Sequence, residues 1–310
     1  MADIVIAEFM DEAAVAALAA DFHVLYDKGL VDRPADLARE IKAARALIVR
    51  NRTQVRGSLL AAGDALEVVG RLGVGLDNID TAACSARGIT VIPATGANDI
   101  SVAEWTLTTI LMLMRGAYAA STEVAAGLWP RERLMGREIH GKTLGLVGFG
   151  SIARETTPRA QAFGMTVIAA DPHIAPSDPV WSRLNVRPVS LDTLVAEADA
   201  ISLHVPLTET TRGLFNAARI AAMKPGAVLV NAARGGVVDE RAAFEAAAQG
   251  RIGGVALDVF ETEPLPAITG FAPHPNIILT PHIAGVTRES NVRVSGLIAE
   301  KVAAALRDRG

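Results

Sequence analysis

Short apolar runs rich in β-branched residues alternate along this chain with longer segments whose apolar residues recur at helical spacing. Ile4–Ala7, His23–Tyr26, Ala46–Val49, Leu66–Val69 and Ile89–Ile92 read as strands, the last stopped by Pro93. Asp11–Ala20 reads as a helix capped by Asp11, and Ala35–Ala44 as a second helix after the Arg33-Pro34 punctuation. The apolar period over Ile100–Tyr118 predicts a long helix, suited to joining two domains and to burying a face against a partner. A Gly- and charge-rich stretch, Gly127–Gly141, reads as a boundary. The alternation then restarts. Strands are expected at Thr143–Val147, Thr166–Ala170, Ala200–Leu203, Ala227–Asn231, Gly254–Asp258 and Ile277–Leu279. Helices are expected at Ile152–Phe163, Glu240–Ala248 and Thr287–Arg307. Strands that alternate with helices pair in parallel, so the fold class is α/β with parallel sheets.

Composition narrows this picture. At 310 residues the chain exceeds the size at which one core usually keeps growing, so two domains are expected. Half the residues are hydrophobic (50%), enough apolar surface to offset chain entropy and exclude a disordered protein. Aromatics are only 4%, so the core is aliphatic. The net charge of −4 supplies no basic field for nucleic acid. The apolar stretch Trp105–Met114 is interrupted by threonines and too short for a membrane span, and no basic-plus-apolar leader opens the chain. A lone cysteine, Cys84, excludes an intrachain disulfide and a Cys-rich zinc site and suits a reducing cytoplasm; no metal set is expected.

The sharpest local motif is Gly145-Leu-Val-Gly148-Phe-Gly150-Ser-Ile-Ala153, between a predicted strand and a predicted helix. That is the context of a dinucleotide-binding turn. Gly148 permits the tight turn, Gly150 lets backbone approach a pyrophosphate, and Ala153 keeps helix and strand close. Asp171 ends the next strand, where a carboxylate accepts both ribose hydroxyls of NAD and repels a 2′-phosphate.

Three further charges stand just past predicted strands. Arg234 follows Val228–Asn231 and precedes two glycines, Glu263 lies beyond Asp258, and His282 follows Leu279-Thr-Pro. Open α/β sheets bind ligands at such strand ends. An arginine fork for a carboxylate, a histidine for the hydroxyl proton and a carboxylate to orient the ring form a set suited to hydride transfer with a 2-hydroxy acid. His204, in Leu203-His-Val-Pro206, reads as structural.

Taken together these segments resemble the D-isomer-specific 2-hydroxyacid dehydrogenases. They are joined by Gly73-Val-Gly-Leu-Asp77, Asn98-Asp-Ile-Ser101, Asn231-Ala-Ala-Arg234-Gly-Gly, Ala256-Leu-Asp258-Val-Phe-Glu261-Thr-Glu263-Pro264 and Pro281-His282-Ile-Ala-Gly285. The likeness points to the 3-phosphoglycerate dehydrogenase branch without its C-terminal regulatory extension. It implies two Rossmann-like or flavodoxin-like domains with an active-site cleft between them, which closes for catalysis. Residues 1–98 with 286–310 would form the substrate domain and 99–285 the NAD domain. It also implies His282 as acid/base, Glu263 as its partner, and Arg234 on the substrate. Gly148, Gly150, Ser151, Ile152, Asp171, Val205, Pro206, Ala232, Ala233, Asp258 and Gly285 would line NAD, with Asp258 at the nicotinamide amide. Gly73, Val74 and Gly75 would offer N–H groups to the substrate carboxylate. A cytoplasmic homodimer is implied, with neither nucleic acid nor membrane as partner.

The segment Val49-Arg50-Asn51-Arg52-Thr53 is similar to the substrate loop of phosphoglycerate enzymes, with Asn51 in place of serine. Arg50 and Arg52 favour a second anion on the substrate, and Arg131 and Arg133 could add charge, from a partner subunit. The expected substrate is a small D-2-hydroxy acid with an anion at C3, 3-phosphoglycerate first and 3-sulfolactate as the alternative. Glyoxylate or hydroxypyruvate reduction is a further option. An NAD(H)-sensing corepressor, a binding protein of the same family, is disfavoured by the complete Arg–Glu–His set.

Overall fold

The computed structural model describes residues 2–116, 120–267 and 274–309. The chain forms two compact units, Met1–Asn98 with Val286–Gly310, and Asp99–Gly285. The Gly127–Gly141 stretch therefore lies inside the second unit and marks no boundary. The chain passes from one unit to the next at the head of the helix Asp99–Arg115, whose face of Leu107, Ile110, Leu113 and Met114 belongs to the second unit's core. This helix ends before Gly116, and the expected continuation to Tyr118 lies outside the described residues.

The first unit holds a five-stranded parallel sheet. Its strands are β1 (Ile4–Ile6), β2 (Val24–Tyr26), β3 (Ala46–Val49), β4 (Val68–Arg71) and β5 (Thr90–Pro93), ordered β2-β1-β3-β4-β5. Both faces are covered. One carries Ile4, Ile6, Ile48 and Val68 against the helices Glu12–Ala19 and Arg288–Arg307. The other carries Val5, Leu47, Val49 and Val69 against Leu37, Ile41 and Leu60. Asp11 caps the first helix by accepting from Ala13 N, and Thr287 and Ser290 form a capping box on the last.

Two strands depart from expectation. β4 runs two residues further on than Leu66–Val69. Leu66 is buried in the core ahead of the ladder, while Gly70 and Arg71 carry no strand-like apolar signal. A Cβ on Gly70 would lie 2.9 Å from Ile298 and Val302, so this glycine seats the C-terminal helix on the sheet. β5 begins one residue later than Ile89, and Pro93 is its last residue, so the strand does stop there, at a place an edge strand tolerates. The helices Gly57–Ala62 and Thr81–Ala86 are too short for a clear helical period.

The second unit holds a seven-stranded parallel sheet. Its strands are β6 (Thr143–Val147), β7 (Thr166–Ala170), β8 (Arg187–Pro188), β9 (Ala200–Leu203), β10 (Val228–Asn231), β11 (Gly254–Leu257) and β12 (Ile277–Leu279). Their order is β12-β11-β10-β9-β6-β7-β8. The order reverses between β6 and β9, which is the doubly wound dinucleotide-binding topology. The central strands β9, β10 and β11 are buried along their whole length, as parallel strands covered on both faces must be. Among the described residues no helix is long and apolar enough to cross a membrane.

Candidate active site

The glycine turn sits at the reversal point of the second sheet. Gly148 leaves β6 with φ of +84°, and a Cβ there would lie 2.5 Å from the His204 carbonyl oxygen and 3.0 Å from Val205. His204 N donates to Val147 O at 2.7 Å, so Val205 and Pro206 continue alongside the turn. A Cβ on Gly150 would meet nothing within 4 Å. The helix Ser151–Ala162 that follows has no side-chain cap, unlike those headed by Asp11, Asp80, Asp178, Ser190, Asn216, Asp239 and Thr287. Its first N–H groups are thus left for an anion. Burial pushes the buried carboxyl of Asp99 up, against the pull of the Ser151 side chain. Asp171 accepts from Phe149 N at 2.8 Å through one oxygen and from His173 N at 2.9 Å through the other. Each oxygen keeps a further lone pair for a hydroxyl. An open, uncapped helix head followed by a carboxylate fits a dinucleotide.

His282 and Glu263 meet. His282 Nδ1 lies 2.7 Å from Glu263 Oε2. Burial alone pushes the Glu263 carboxyl up. The His282 bond, the Phe260 N–H at 3.0 Å and the charges of His282 and Arg234 outweigh it and hold the carboxyl below its ordinary value. Glu263 is therefore ionised at neutral pH, and an ionised acceptor at Nδ1 favours a proton on that nitrogen, which leaves Nε2 for the exchange of a proton with substrate.

Asp258 fastens this histidine. One of its oxygens accepts from Thr280 Oγ1 at 2.6 Å and Ile283 N at 2.8 Å, the other from Ala284 N at 2.8 Å. Burial pushes the Asp258 carboxyl up, against the pull of those donors. The residue is 1% exposed, so its visible work is to hold the loop that ends at Gly285, more than to face an amide. His282 itself is left-handed, with φ of +55°, and its N–H donates to Asp258 O at 2.8 Å. A non-glycine residue persists there only when its surroundings over-determine it.

A second device holds Arg234. The buried side chain of Asn231 donates to Arg234 O at 2.9 Å and accepts from Ala233 N at 3.0 Å, closing the Asn231–Arg234 loop around Ala232 and Ala233. Asn231 and Thr280 escaped the sequence reading. An Asn ending an apolar strand before small residues was the available signal; a lone Thr offered none.

In the first unit, Gly73 has φ of +154°, and a Cβ there would collide with the Arg71 guanidinium. Val74 and Gly75 N–H groups find no acceptor among the described residues. Arg50 and Arg52 differ. Arg52 pairs with Asp32, whereas Arg50 Nη2 donates to the neutral amide of Asn291 at 2.7 Å. Arg133 pairs with Glu123 at 2.5 Å in its own chain.

The chain is similar to known proteins over its whole length. The family model described as D-isomer specific 2-hydroxyacid dehydrogenase, NAD binding domain, matches residues 107–284. (S)-sulfolactate dehydrogenase of Chromohalobacter salexigens is 53% identical over 306 residues, covering 99% of each chain. D-3-phosphoglycerate dehydrogenase of Archaeoglobus fulgidus is 40% identical over 267 residues, covering 86% of this chain and 50% of its own. The likeness to the sulfolactate enzyme thus exceeds that to the phosphoglycerate enzyme, while the phosphoglycerate enzymes expected from the motifs also stand among the relatives. The chain spans about half the length of that phosphoglycerate relative. The solved D-lactate dehydrogenase of Aquifex aeolicus, complexed with NAD and lactic acid, shares 29% identity at TM-score 0.85, covering 98% of this chain and 95% of that one. From its parallel sheets, its dinucleotide turn and these relatives, the chain belongs to the D-isomer-specific 2-hydroxyacid dehydrogenases and is an NAD-dependent oxidoreductase of 2-hydroxy acids.

Proposed function

We propose that the substrate is a D-configured 2-hydroxy acid with a sulfonate at C3, namely (S)-3-sulfolactate, interconverted with its 2-keto acid. The observation that carries this reading is the guanidinium of Arg50, bonded to a neutral amide and, among the described residues, to no carboxylate, on a loop whose other arginine is neutralised by Asp32. A tail with one negative charge matches one available cation. The full-length relative named (S)-sulfolactate dehydrogenase supports it. Handedness agrees as well. The sulfur-bearing carbon outranks the carboxyl in the priority order, so the S descriptor here denotes the same spatial arrangement as in a D-2-hydroxy acid. D-3-phosphoglycerate is the second reading, favoured by the relatives of that name.

In this reading His282 Nε2 takes the hydroxyl proton during oxidation and returns it during reduction, while ionised Glu263 orients the ring and stabilises the imidazolium. Arg234 binds the carboxylate end or polarises the carbonyl, and the Val74 and Gly75 N–H groups hold the carboxylate, the Gly73 N–H being spent on Arg71 O at 2.8 Å. The hydride chemistry at C2 would be supplied by NAD when bound. Gly148, Gly150, Ser151 and Ile152 receive its pyrophosphate, and Asp171 its ribose. Val205, Pro206, Ala232, Ala233, Asp258 and Gly285 complete the lining. Met1–Asn98 with Val286–Gly310 serves the substrate, and Asp99–Gly285 the nucleotide. Homodimerisation in a reducing cytoplasm belongs to the same reading, supported by exposed Leu128 (55%), Trp129 (75%) and Met135 (81%).

The test is NADH formation on (S)-3-sulfolactate, its enantiomer, D-3-phosphoglycerate, D-glycerate and D-lactate. Preference for (S)-3-sulfolactate is expected. Preference for D-3-phosphoglycerate would move the assignment to the second reading, and preference for acids with uncharged tails would remove the role of Arg50.

A further inference from the structure

The loop of Arg50 is held from both sides within its own unit. The buried carboxylate of Glu8, just past β1, accepts from Arg50 N at 2.9 Å, Thr53 N at 3.0 Å and Arg52 N at 3.3 Å. The buried amide of Asn78 donates to Arg50 O at 3.0 Å and Thr53 O at 2.7 Å. With the backbone fixed, the two arginine side chains take different partners. That of Arg52 is spent on Asp32. That of Arg50 reaches the first turn of the C-terminal helix, where Nη2 donates to Asn291 Oδ1, and it lies 5.6 Å from the Phe9 ring centroid. Glu8 and Tyr26 are the titratable groups whose charges reach it, and no carboxylate oxygen bonds it among the described residues.

An amide that gives its oxygen to a guanidinium necessarily holds its NH2 group beside it. Asn291 Nδ2 has no acceptor among the described residues. One charged donor and one neutral donor therefore stand side by side. We propose that Asn291 is a specificity-determining residue. With Arg50 it forms a donor pair for a three-oxygen monoanion, and so selects a sulfonate tail over a phosphate. The proposal rests on the reading of the substrate as a 2-hydroxy acid with an anionic C3 group. A sulfonate carries one charge, which the single guanidinium balances while the amide fills a further oxygen. A phosphate monoester carries about −1.5 to −2 at neutral pH. Its extra charge would find the loop's other guanidinium, Arg52, already paired with Asp32, and the Glu8 carboxylate bonded to the same loop.

The experiment compares kcat/KM for (S)-3-sulfolactate, D-3-phosphoglycerate and D-glycerate in the wild type, Asn291→Asp and Asn291→Lys. Asn291→Asp is nearly isosteric and favourable in the first turn of a helix, so folding is not at stake. It would neutralise Arg50. KM for the two anionic acids is expected to rise about ten- to a hundredfold more than KM for D-glycerate, with kcat little affected. Asn291→Lys adds a cation and is expected to move the ratio toward D-3-phosphoglycerate by about tenfold or more. In the wild type, the preference for the sulfonate is expected to shrink below about pH 6, where the phosphate becomes a monoanion. Enzyme ionisations shared by the two substrates cancel in that ratio. Equal losses on all three acids would make Asn291 merely structural and overturn the proposal. So would a wild type that prefers (S)-3-sulfolactate alongside variants that keep its ratio. A wild type that prefers D-glycerate to both anionic acids would instead overturn the substrate reading, and the proposal with it.

Discussion

His282 Nδ1 lies 2.7 Å from Glu263 Oε2, although 19 positions separate the two in the chain. The histidine comes from the loop after β12 and the glutamate from the stretch after β11. The ring side chain is 40% exposed and the carboxylate 32%, so the pair is reachable yet shielded enough for its charges to matter. His282→Asn is expected to lower kcat by roughly 10²–10⁴-fold while NAD affinity, read by titration, stays near wild type. Glu263→Gln is expected to lose less, because an amide still orients the ring but no longer stabilises the imidazolium. Wild-type turnover in His282→Asn would remove the histidine from the chemistry.

Asp258 carries the backbone of that histidine loop. In Asp258→Asn an NH2 group would face one of the donors now satisfied by Thr280 Oγ1, Ile283 N and Ala284 N. A stability loss of about 1–3 kcal/mol is expected in denaturant unfolding. The fall in kcat should exceed any change in NAD affinity, since the left-handed His282 is then less firmly held. If stability and turnover both match wild type, the loop is held by something else.

In the proposed reading Asp171 sets the cofactor. Its carboxylate is fixed by the N–H groups of Phe149 and His173. Asp171→Ala should raise KM for NAD and narrow the preference for NAD over NADP, measured as the ratio of kcat/KM values. An unaltered ratio would argue that another group reads the ribose.

Acid should weaken the second unit through His204. Burial drives its pKa from 6.5 down to about 4, and its Nε2 has no partner among the described residues. The unfolded chain then binds the proton more readily than the folded one. Stability is whole above about pH 6.5, falls as pH drops toward about 4, and the loss reaches about 3 kcal/mol. Glu263, held below its ordinary value, adds a loss only at lower pH, as it protonates below the usual carboxylate range. Asp258, pushed up by burial, works in the opposite sense. Urea unfolding between pH 7 and pH 4 should show a flatter dependence in His204→Gln. An identical slope in variant and wild type would place the acid sensitivity elsewhere.

The local pattern was enough to read much of this molecule. Strands β6, β7, β9 and β12 fall on the predicted runs, because a parallel strand covered on both faces must be continuously apolar. Motif spacing likewise singled out Gly148, Asp171, Glu263 and His282, since a tight turn, a ribose carboxylate and an acid/base pair each demand particular residue types. What stayed hidden depends on partners distant in the chain. β4 could not be placed while Gly70 looked like a loop residue, because its purpose is to admit Ile298 and Val302. Arg50 and Arg52 are equivalent in the sequence, and only folding brings Asn291 to one and Asp32 to the other. Glu8, Asn78, Asn231 and Thr280 carry no periodic signal. The sequence by itself determined the layered α/β architecture and the chemistry of the strand-end residues, because hydrophobic period and residue type are local. The tertiary structure decided which charges remain free and which loops are fastened, because hydrogen bonds and ion pairs form between groups that only the fold brings within reach.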